Sequence, residues 1–323
     1  MLVTGGTGYL GSAIVRAVTR AGHEPVVFAR RATAAQLPGR AIDGDIRDTR
    51  AVTAAASGVD VICHTAALVS IWQRDNSAFD AINVGGLQSV LAAARTHQLR
   101  RVVYTSSFLA LPPADSPHPL TANHYQRTKV AARDVARRAA KDGFPVVTLY
   151  PGVLYGPGPA TEGDLVGRLM RDHLAGRLPG AIGADRLWSF SYVDDVADAH
   201  VAAAAHDSPG AEYTVGGVNA PQRAIYEHLR EARGRPLPRR IPYGIATVGA
   251  LGQEIYSAIT GRAPLLTRGD VEIFRLLVAR QQRGAGRARL ARDTAERRAQ
   301  QNASCSVNRH LRCSRGRQIL RGR

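Results

Sequence analysis

Over the first 150 positions the apolar residues gather into short unbroken runs. Between these lie longer stretches in which apolar positions recur every three or four residues. The runs are Leu2 to Thr4, Val26-Val-Phe-Ala-Arg30, Val59-Asp-Val-Ile-Cys-His64, Arg101-Val-Val-Tyr-Thr-Ser106 and Val146-Val-Thr-Leu-Tyr150, and the segment Arg40 to Asp45 leads to a further short strand. A run without polar alternation is what a strand needs when helices cover both faces of its sheet. The intervening stretches Ser12 to Arg20, Thr49 to Ala56, Ala78 to His97 and His124 to Lys141 read as helices; in the first, Ile14, Ala17 and Val18 share one face. Strands alternating with helices predict right-handed crossovers, hence the α/β class with a doubly wound parallel sheet.

After Tyr155 the rhythm breaks. Gly156-Pro-Gly-Pro159 reads as a loop, Asp164 to Ala175 as a helix, Leu187 to Val193 as a strand entering a helix from Asp195 to Ala205, and Glu212 to Val215 as another strand. Residues 221–278 hold two or three helices between Pro- and Gly-rich turns. The predicted organisation is a dinucleotide-binding Rossmann domain over 1–160 with about 186–218, and a smaller, mostly helical substrate lobe over 161–185 with 219–279. Ile241 to Thr260 is moderately apolar but interrupted by Gln253 and Glu254, which favours a core or lid helix over membrane attachment.

The first apolar run carries candidate chemistry because Gly5, Gly8 and Gly11 follow it at once and a helix follows them. In a strand–turn–helix, the first glycine permits the turn, the second lets backbone approach a pyrophosphate, and the third lets helix pack close to strand. The helix N-terminus then offers free N–H groups and a favourable dipole to the phosphates. At the end of the second strand, where the adenine ribose of a dinucleotide would lie, stand Arg30 and Arg31 rather than an acid. An acid there suits the 2′-hydroxyl of NAD and an arginine the 2′-phosphate of NADP, so NADP is expected, with NAD open. The other reading is two solvated arginines.

Tyr125-Gln-Arg-Thr-Lys129 sets a phenol and an ammonium four residues apart, on one helix face. A free tyrosine titrates near 10, and an adjacent Lys⁺ would stabilise the phenolate and bring it toward working pH. Alone the spacing is weak. Here it follows the glycine fingerprint and a strand ending in Thr105-Ser106-Ser107, and Lys129 is one of only two lysines. The expected catalytic group is Tyr125, Lys129 and Ser107, the last hydrogen-bonding the substrate oxygen that Tyr125 protonates, with Ser106 as the neighbouring alternative.

Charge changes the picture only at one end. The formal net charge is +17, but thirteen arginines against Asp293 and Glu296 in residues 280–323 supply most of it. That segment has no aromatic residue and no sustained hydrophobic period. It is open to three readings: a disordered basic tail, an arm for nucleic-acid phosphate, or a frameshift in a GC-rich gene, the last being favoured. Nucleic acid is not the expected partner of the mildly basic body. No apolar run approaches the roughly 18 residues of a membrane span, and nothing at the N-terminus reads as a signal peptide. Cys63, Cys305 and Cys313 show no disulfide or metal spacing, so no metal and a cytoplasmic setting are expected.

Together these motifs resemble the extended short-chain dehydrogenase/reductase family over roughly residues 1–275, in particular its NAD-dependent epimerase/dehydratase and dihydroflavonol-reductase-like branch. The resemblance rests on Thr4-Gly-Gly-Thr-Gly-Tyr-Leu-Gly11, Gly44-Asp45-Ile46, His64-Thr-Ala-Ala67, Asn83-Val-Gly-Gly86, Tyr104-Thr-Ser-Ser107 and Tyr125 to Lys129. It continues in Tyr150-Pro-Gly-Val153, Tyr192-Val-Asp-Asp-Val196 and Glu212-Tyr-Thr-Val-Gly-Gly217, with Trp72-Gln-Arg-Asp75, His124 and Ile259-Thr-Gly-Arg-Ala-Pro264 as branch features. It implies that Gly5, Gly8, Tyr9, Leu10 and Gly11 hold the cofactor pyrophosphate, that Asp45 bonds the adenine amino group with Ile46 against the ring, and that Thr65, Ala66 and Ala67 line the path to the nicotinamide. Lys129 would also bond the nicotinamide ribose, and Tyr150, Gly152 and Val153 would sit beside the carboxamide. Asn83 would support the site or cap a helix; Asp194 and Asp195 would be structural. The family's first strand usually begins earlier, and its branch usually closes on a Ser/Lys-Ala-x-x-Glu-Leu-Gly motif that residues 280–323 lack.

The implied activity is interconversion of a ketone or aldehyde with an alcohol by hydride transfer, with a small carbonyl or alcohol as substrate; a homodimer is compatible with it. An NAD-dependent nucleotide-sugar epimerase is the alternative. A dehydratase is disfavoured by Phe108-Leu109 where that branch has an Asp-Glu pair.

Overall fold

The β-branched and apolar runs form the strands as expected. The computed structural model describes residues 1–70, 72–113, 117–205 and 209–276. Through Pro151 the chain runs β1 (Leu2–Thr4), α1 (Tyr9–Arg20), β2 (Val26–Ala29), β3 (Arg40–Asp43), α2 (Thr49–Ala55), β4 (Val61–His64), α3 (Ser77–Asp80), α4 (Gly86–Thr96), β5 (Arg101–Thr105), α5 (His124–Lys141) and β6 (Val146–Pro151). It continues through β7 (Val153–Tyr155), α6 (Leu165–Leu174), β8 (Leu187–Tyr192), α7 (Val193–Ala205), β9 (Glu212–Val215), β10 (Val218–Pro221), α8 (Arg223–Arg233), α9 (Tyr243–Thr260) and α10 (Arg268–Leu276).

Seven strands make one sheet in the order β3-β2-β1-β4-β5-β6-β9, parallel at every pairing. The order reverses between β1 and β4, and ligands of doubly wound sheets bind outside the carboxyl ends of the strands at such a point. β1, β4 and β5 are buried throughout, which explains their uninterrupted apolar runs. Leu2, Ile62, Val102 and Leu87 belong to the core on one face, and Val3, Val103, Ile14, Val18 and Val196 to that on the other.

Three features differ from the sequence reading. The mostly helical lobe with α6, α8, α9 and α10 is accompanied by a second sheet that the sequence reading did not separate from the first: β7, β8 and β10, in the order β10-β8-β7. Two of its strands escape a sequence pattern because they are three and four residues long and lie at its edges. The helix expected over Ala78 to His97 is interrupted by a π-helical turn at Ala81–Gly85. And α9, expected to be core or lid, buries only Ala246, Ala250 and Ser257. The described residues belong to one compact unit. The arginine-rich segment 280–323, with its three readings, lies outside the described residues. No helix among them is long and apolar enough to cross a membrane.

Candidate active site

A cleft of about 1650 Å³ runs across the carboxyl ends of the parallel strands and on between the two sheets. Its first part is shaped by glycine. Gly5 has φ +68°, and a Cβ there would stand 2.7 Å from both Cα and N of Ala66. A Cβ on Gly11 would run into the Gly5 carbonyl, so α1 can start this close to β1 only with glycine at that position. Gly8, Tyr9, Leu10 and Gly11 line the cleft with Thr65, Ala66 and Ala67 across from them. Thr65 is pinned by its hydroxyl, which donates to the Thr4 carbonyl at 2.9 Å. Tyr9 donates its phenol to the Gly156 carbonyl at 2.7 Å, and its ring lies beside Gly158. A pyrophosphate fits this narrow, uncharged turn at a helix N-terminus.

At the end beyond β2 and β3 the cleft is lined by Arg30, Arg31, Asp45, Ile46 and Arg47. Asp45 is engaged by Arg47 through both oxygens, at 2.6 and 3.0 Å, and by the Arg47 backbone N–H at 2.9 Å. These bonds, with the nearby charge of Arg30, hold its carboxyl below the usual carboxylate range. Arg47 was not singled out from the sequence, because nothing in the pattern distinguishes it from the many other arginines. Ile46 is buried against Gly86.

The reactive part is built on α5. Asn123 caps that helix by accepting from the Gln126 N–H at 2.8 Å. Tyr125 and Lys129 then face the end of β5 from one side of it, and both line the cleft with Ser107. Ser107 stands near the Tyr125 phenol, close enough for its hydroxyl to favour the phenolate. It is held by accepting from the Leu109 N–H at 3.2 Å. Lys129 donates to the Thr105 carbonyl at 3.2 Å and lies 5.9 Å from the Tyr125 ring centre. Burial pushes the Tyr125 phenol up to about 12, with the nearby Ser107 hydroxyl acting the other way. Burial brings the Lys129 ammonium down to about 8. The expected lowering of the phenol by Lys129 is therefore absent in the protein alone: the ammonium is turned to a carbonyl, and desolvation outweighs other effects on both groups.

Under this floor sits a polar layer. His64 Nδ1 is 2.7 Å from the Thr4 hydroxyl, and the ring stacks on Tyr104 at 5.8 Å. Burial and the Lys129 charge press His64 down to about 3, so it stays neutral. His200 Nε2 meets the Thr105 hydroxyl at 2.7 Å. Asn83 caps no helix. From the π turn its Oδ1 accepts from the Leu68 N–H at 2.7 Å and its Nδ2 donates to the Thr128 hydroxyl at 2.9 Å. It thereby ties the Ala66–Leu68 wall of the cleft to the helix bearing Tyr125 and Lys129.

Of the residues expected at the cofactor, Tyr150 is the exception. Gly152 and Val153 line the cleft, but the Tyr150 side chain is buried on the other side of β6 by the Arg137–Glu212 ion pair. Alternation along the strand turns it away from its neighbour at 151. Asp194 and Asp195 stand in the first turn of α7, where their charge favours the helix N-terminus, and Asp194 faces Arg16 at 3.8 Å.

The remainder of the cleft was invisible in the sequence. Phe108, Leu165, Leu169, Ile182, Trp188 and Phe274 line it, contributed by loops and elements far apart in the chain. Its cations Arg168 and Arg177 are paired with Glu162 and Asp172, at 3.0 and 2.7 Å. The indole N–H of Trp188, the Gln222 amide oxygen and the Tyr226 hydroxyl are buried without a partner and belong to residues lining this part.

Comparison with known proteins agrees with this geometry. Residues 1–216 match the NAD dependent epimerase/dehydratase family. The chain is 35% identical over 270 residues to sterol demethylase protein B of Methylococcus capsulatus, covering 76% of this chain and 79% of that protein. It is 31% identical over 290 residues to the 2-alkyl-3-oxoalkanoate reductase of Stenotrophomonas maltophilia, covering 83% and 87%. Its fold is also that of the UDP-glucose 4-epimerase of Thermus thermophilus in complex with NAD, with TM-score 0.63, 24% identity and coverage of 85% and 98%. A glycine-turn cleft at the sheet's switch point, with relatives at this identity over most of both lengths, makes the chain a member of the NAD-dependent epimerase/dehydratase family of extended short-chain dehydrogenases/reductases, an NAD(P)-dependent oxidoreductase.

Proposed function

We propose that the protein is an NADP(H)-dependent reductase that interconverts a ketone or aldehyde with an alcohol on a largely apolar substrate. The observation that carries this reading is the Tyr125 phenol, beside Ser107 and four residues from Lys129, at the junction of the glycine-lined and apolar parts of one cleft. The nicotinamide, when bound, supplies or accepts the hydride. Ser107 holds the substrate oxygen, Tyr125 gives it a proton or takes one back, and Lys129 holds the ribose and places positive charge beside the phenol. The cofactor would lie along Gly5, Gly8, Tyr9, Leu10 and Gly11, then Thr65, Ala66 and Ala67, with Gly152 and Val153 at its nicotinamide end. Asp45 and Ile46 would flank the adenine. Arg30 and Arg31 at that end suit a 2′-phosphate better than a bare ribose, which supports NADP over NAD.

The apolar lining favours a reductase over a nucleotide-sugar epimerase. A nucleotide diphosphate needs free cations, and both arginines that line the substrate part are paired with carboxylates. Tyr125→Phe should lower the rate of NADPH-dependent carbonyl reduction by about 10²-fold or more while NADPH binding, followed by its fluorescence, is kept. Wild-type turnover in that variant would remove Tyr125 from the mechanism. Release of NAD on denaturation, with no net NADPH oxidation, would replace the reductase by the epimerase.

A further inference from the structure

Helix α9 turns an apolar face to solvent that the oxidoreductase reading leaves unexplained. Ile245, Val248, Leu251, Ile255, Tyr256 and Ile259 are all exposed, Val248 at 73% and Ile259 at 80%. At 100° per residue they form one continuous stripe, opposite the buried Ala246, Ala250 and Ser257. Gly244, Gly249 and Gly252 fill the gaps, and a Cβ on any of them would stand in open space. The only charged residue of the helix is Glu254, off this face and bound by Arg268 at 2.8 Å.

Both ends of the stripe are cationic. The Arg74 guanidinium lies against Gly261, and Arg262 reaches the Tyr256 hydroxyl at 3.4 Å. Arg239 and Arg240 precede the other end. Among the described residues Arg74, Arg239 and Arg262 have no carboxylate partner; Arg240 is paired with Asp185. The segment that follows α9 reaches the cleft. Leu265, 78% exposed, donates its N–H to Gln253 of α9 at 3.5 Å, and with Pro264 and Leu266 it lines the cleft.

We infer that α9 is an interfacial helix that docks the protein on an anionic lipid surface. The stripe enters the acyl boundary and Arg74, Arg239 and Arg262 meet headgroup phosphates. An uncharged apolar face flanked by arginines is what such a helix needs. The lipid is chosen over a protein partner because the cations stand at the ends of the stripe and no acid lies on it. Residues 280–323 have no apolar period with which to cover it. Docking does not depend on the reductase reading. Its consequence does: an apolar substrate would enter the cleft past Leu265 without crossing water.

The test is flotation of the full-length protein with phosphatidylcholine vesicles, with and without phosphatidylglycerol. Wild type should float with the anionic vesicles. Val248→Asn combined with Ile255→Asn and Ile259→Asn should weaken binding by more than about tenfold, with unchanged circular dichroism. Ile259→Trp should show a blue-shifted emission on addition of the same vesicles. Binding that salt abolishes and the triple variant leaves intact would assign adsorption to the arginine-rich segment and overturn the proposal. So would no flotation at all, or a triple variant whose only change is a shift from dimer to monomer in sedimentation velocity. Carbonyl reduction of a water-soluble ketone, measured on the same triple variant, separates failure of docking from failure of the reductase reading.

Discussion

Lys129 is an ammonium held out of water with a carbonyl as its hydrogen-bond partner, and that state has a cost that depends on pH. Its ordinary value of 10.5 falls to about 8 in the folded chain. Between those values the unfolded chain carries a proton on this lysine that the folded chain lacks, so stability rises with pH across the window. Below about pH 8 the full desolvation penalty remains. Lys129→Met should therefore stabilise the protein at pH 7 by up to about 3 kcal/mol, with the gain shrinking toward pH 10. Urea midpoints of both proteins at the two pH values check this; an equal difference at both would show that burial of the charge is not the cause. At this scale the sequence was legible where spacing carries geometry. Four residues on a helix put Tyr125 and Lys129 on one face, and three glycines demanded a turn. It was not legible where the answer depends on which way one side chain turns. The Tyr150 phenol follows strand alternation to the far side of β6, and Arg47, which belongs to no pattern, binds the carboxylate of Asp45. The phenol of Tyr125 carries the same lesson, since its rise to about 12 follows from burial that no spacing reports.

The π turn at Ala81–Gly85 is an element whose purpose lies outside itself. A regular helix through these residues would turn position 83 by a different angle, and π segments recur where a side chain must be aimed. Here the aimed side chain is Asn83, which makes two short hydrogen bonds to different walls of the cleft. Asn83→Leu leaves the Leu68 N–H unpaired and should cost about 1–3 kcal/mol. It should also raise KM for NADPH more than it lowers kcat, because the displaced wall is the one expected along the cofactor. Asn83→Asp, which retains the acceptor for Leu68, should recover part of both. Unaltered melting temperature and KM in the leucine variant would show that the two walls are held by other means. The sequence predicted one helix here because helical periodicity continues across the extra residue. It did not separate a second sheet from the first because β7 and β10 are too short to show alternation.

For the whole molecule, crossovers predict a sheet whose order reverses once, and the seven-stranded order with β1 beside β4 is that sheet. The second sheet and the apolar cleft arise from packing between distant segments, such as Trp188 stacked on Phe274 at 5.9 Å. No local pattern encodes those contacts. The Tyr9 hydroxyl, bonded to the Gly156 carbonyl, links the two sides at one point. The first residue of the helix proposed to face the pyrophosphate supports the loop leading into α6, which lines the substrate part. Read as kinetics, that link imposes an order: a ligand that settles the glycine turn also settles the entrance to the substrate lobe, so NADPH should bind first and the carbonyl second. Wild-type product-inhibition patterns should be those of a compulsory-order mechanism, and Tyr9→Phe should relax them toward random addition. A random pattern in the wild type would mean that the two halves of the cleft fill independently.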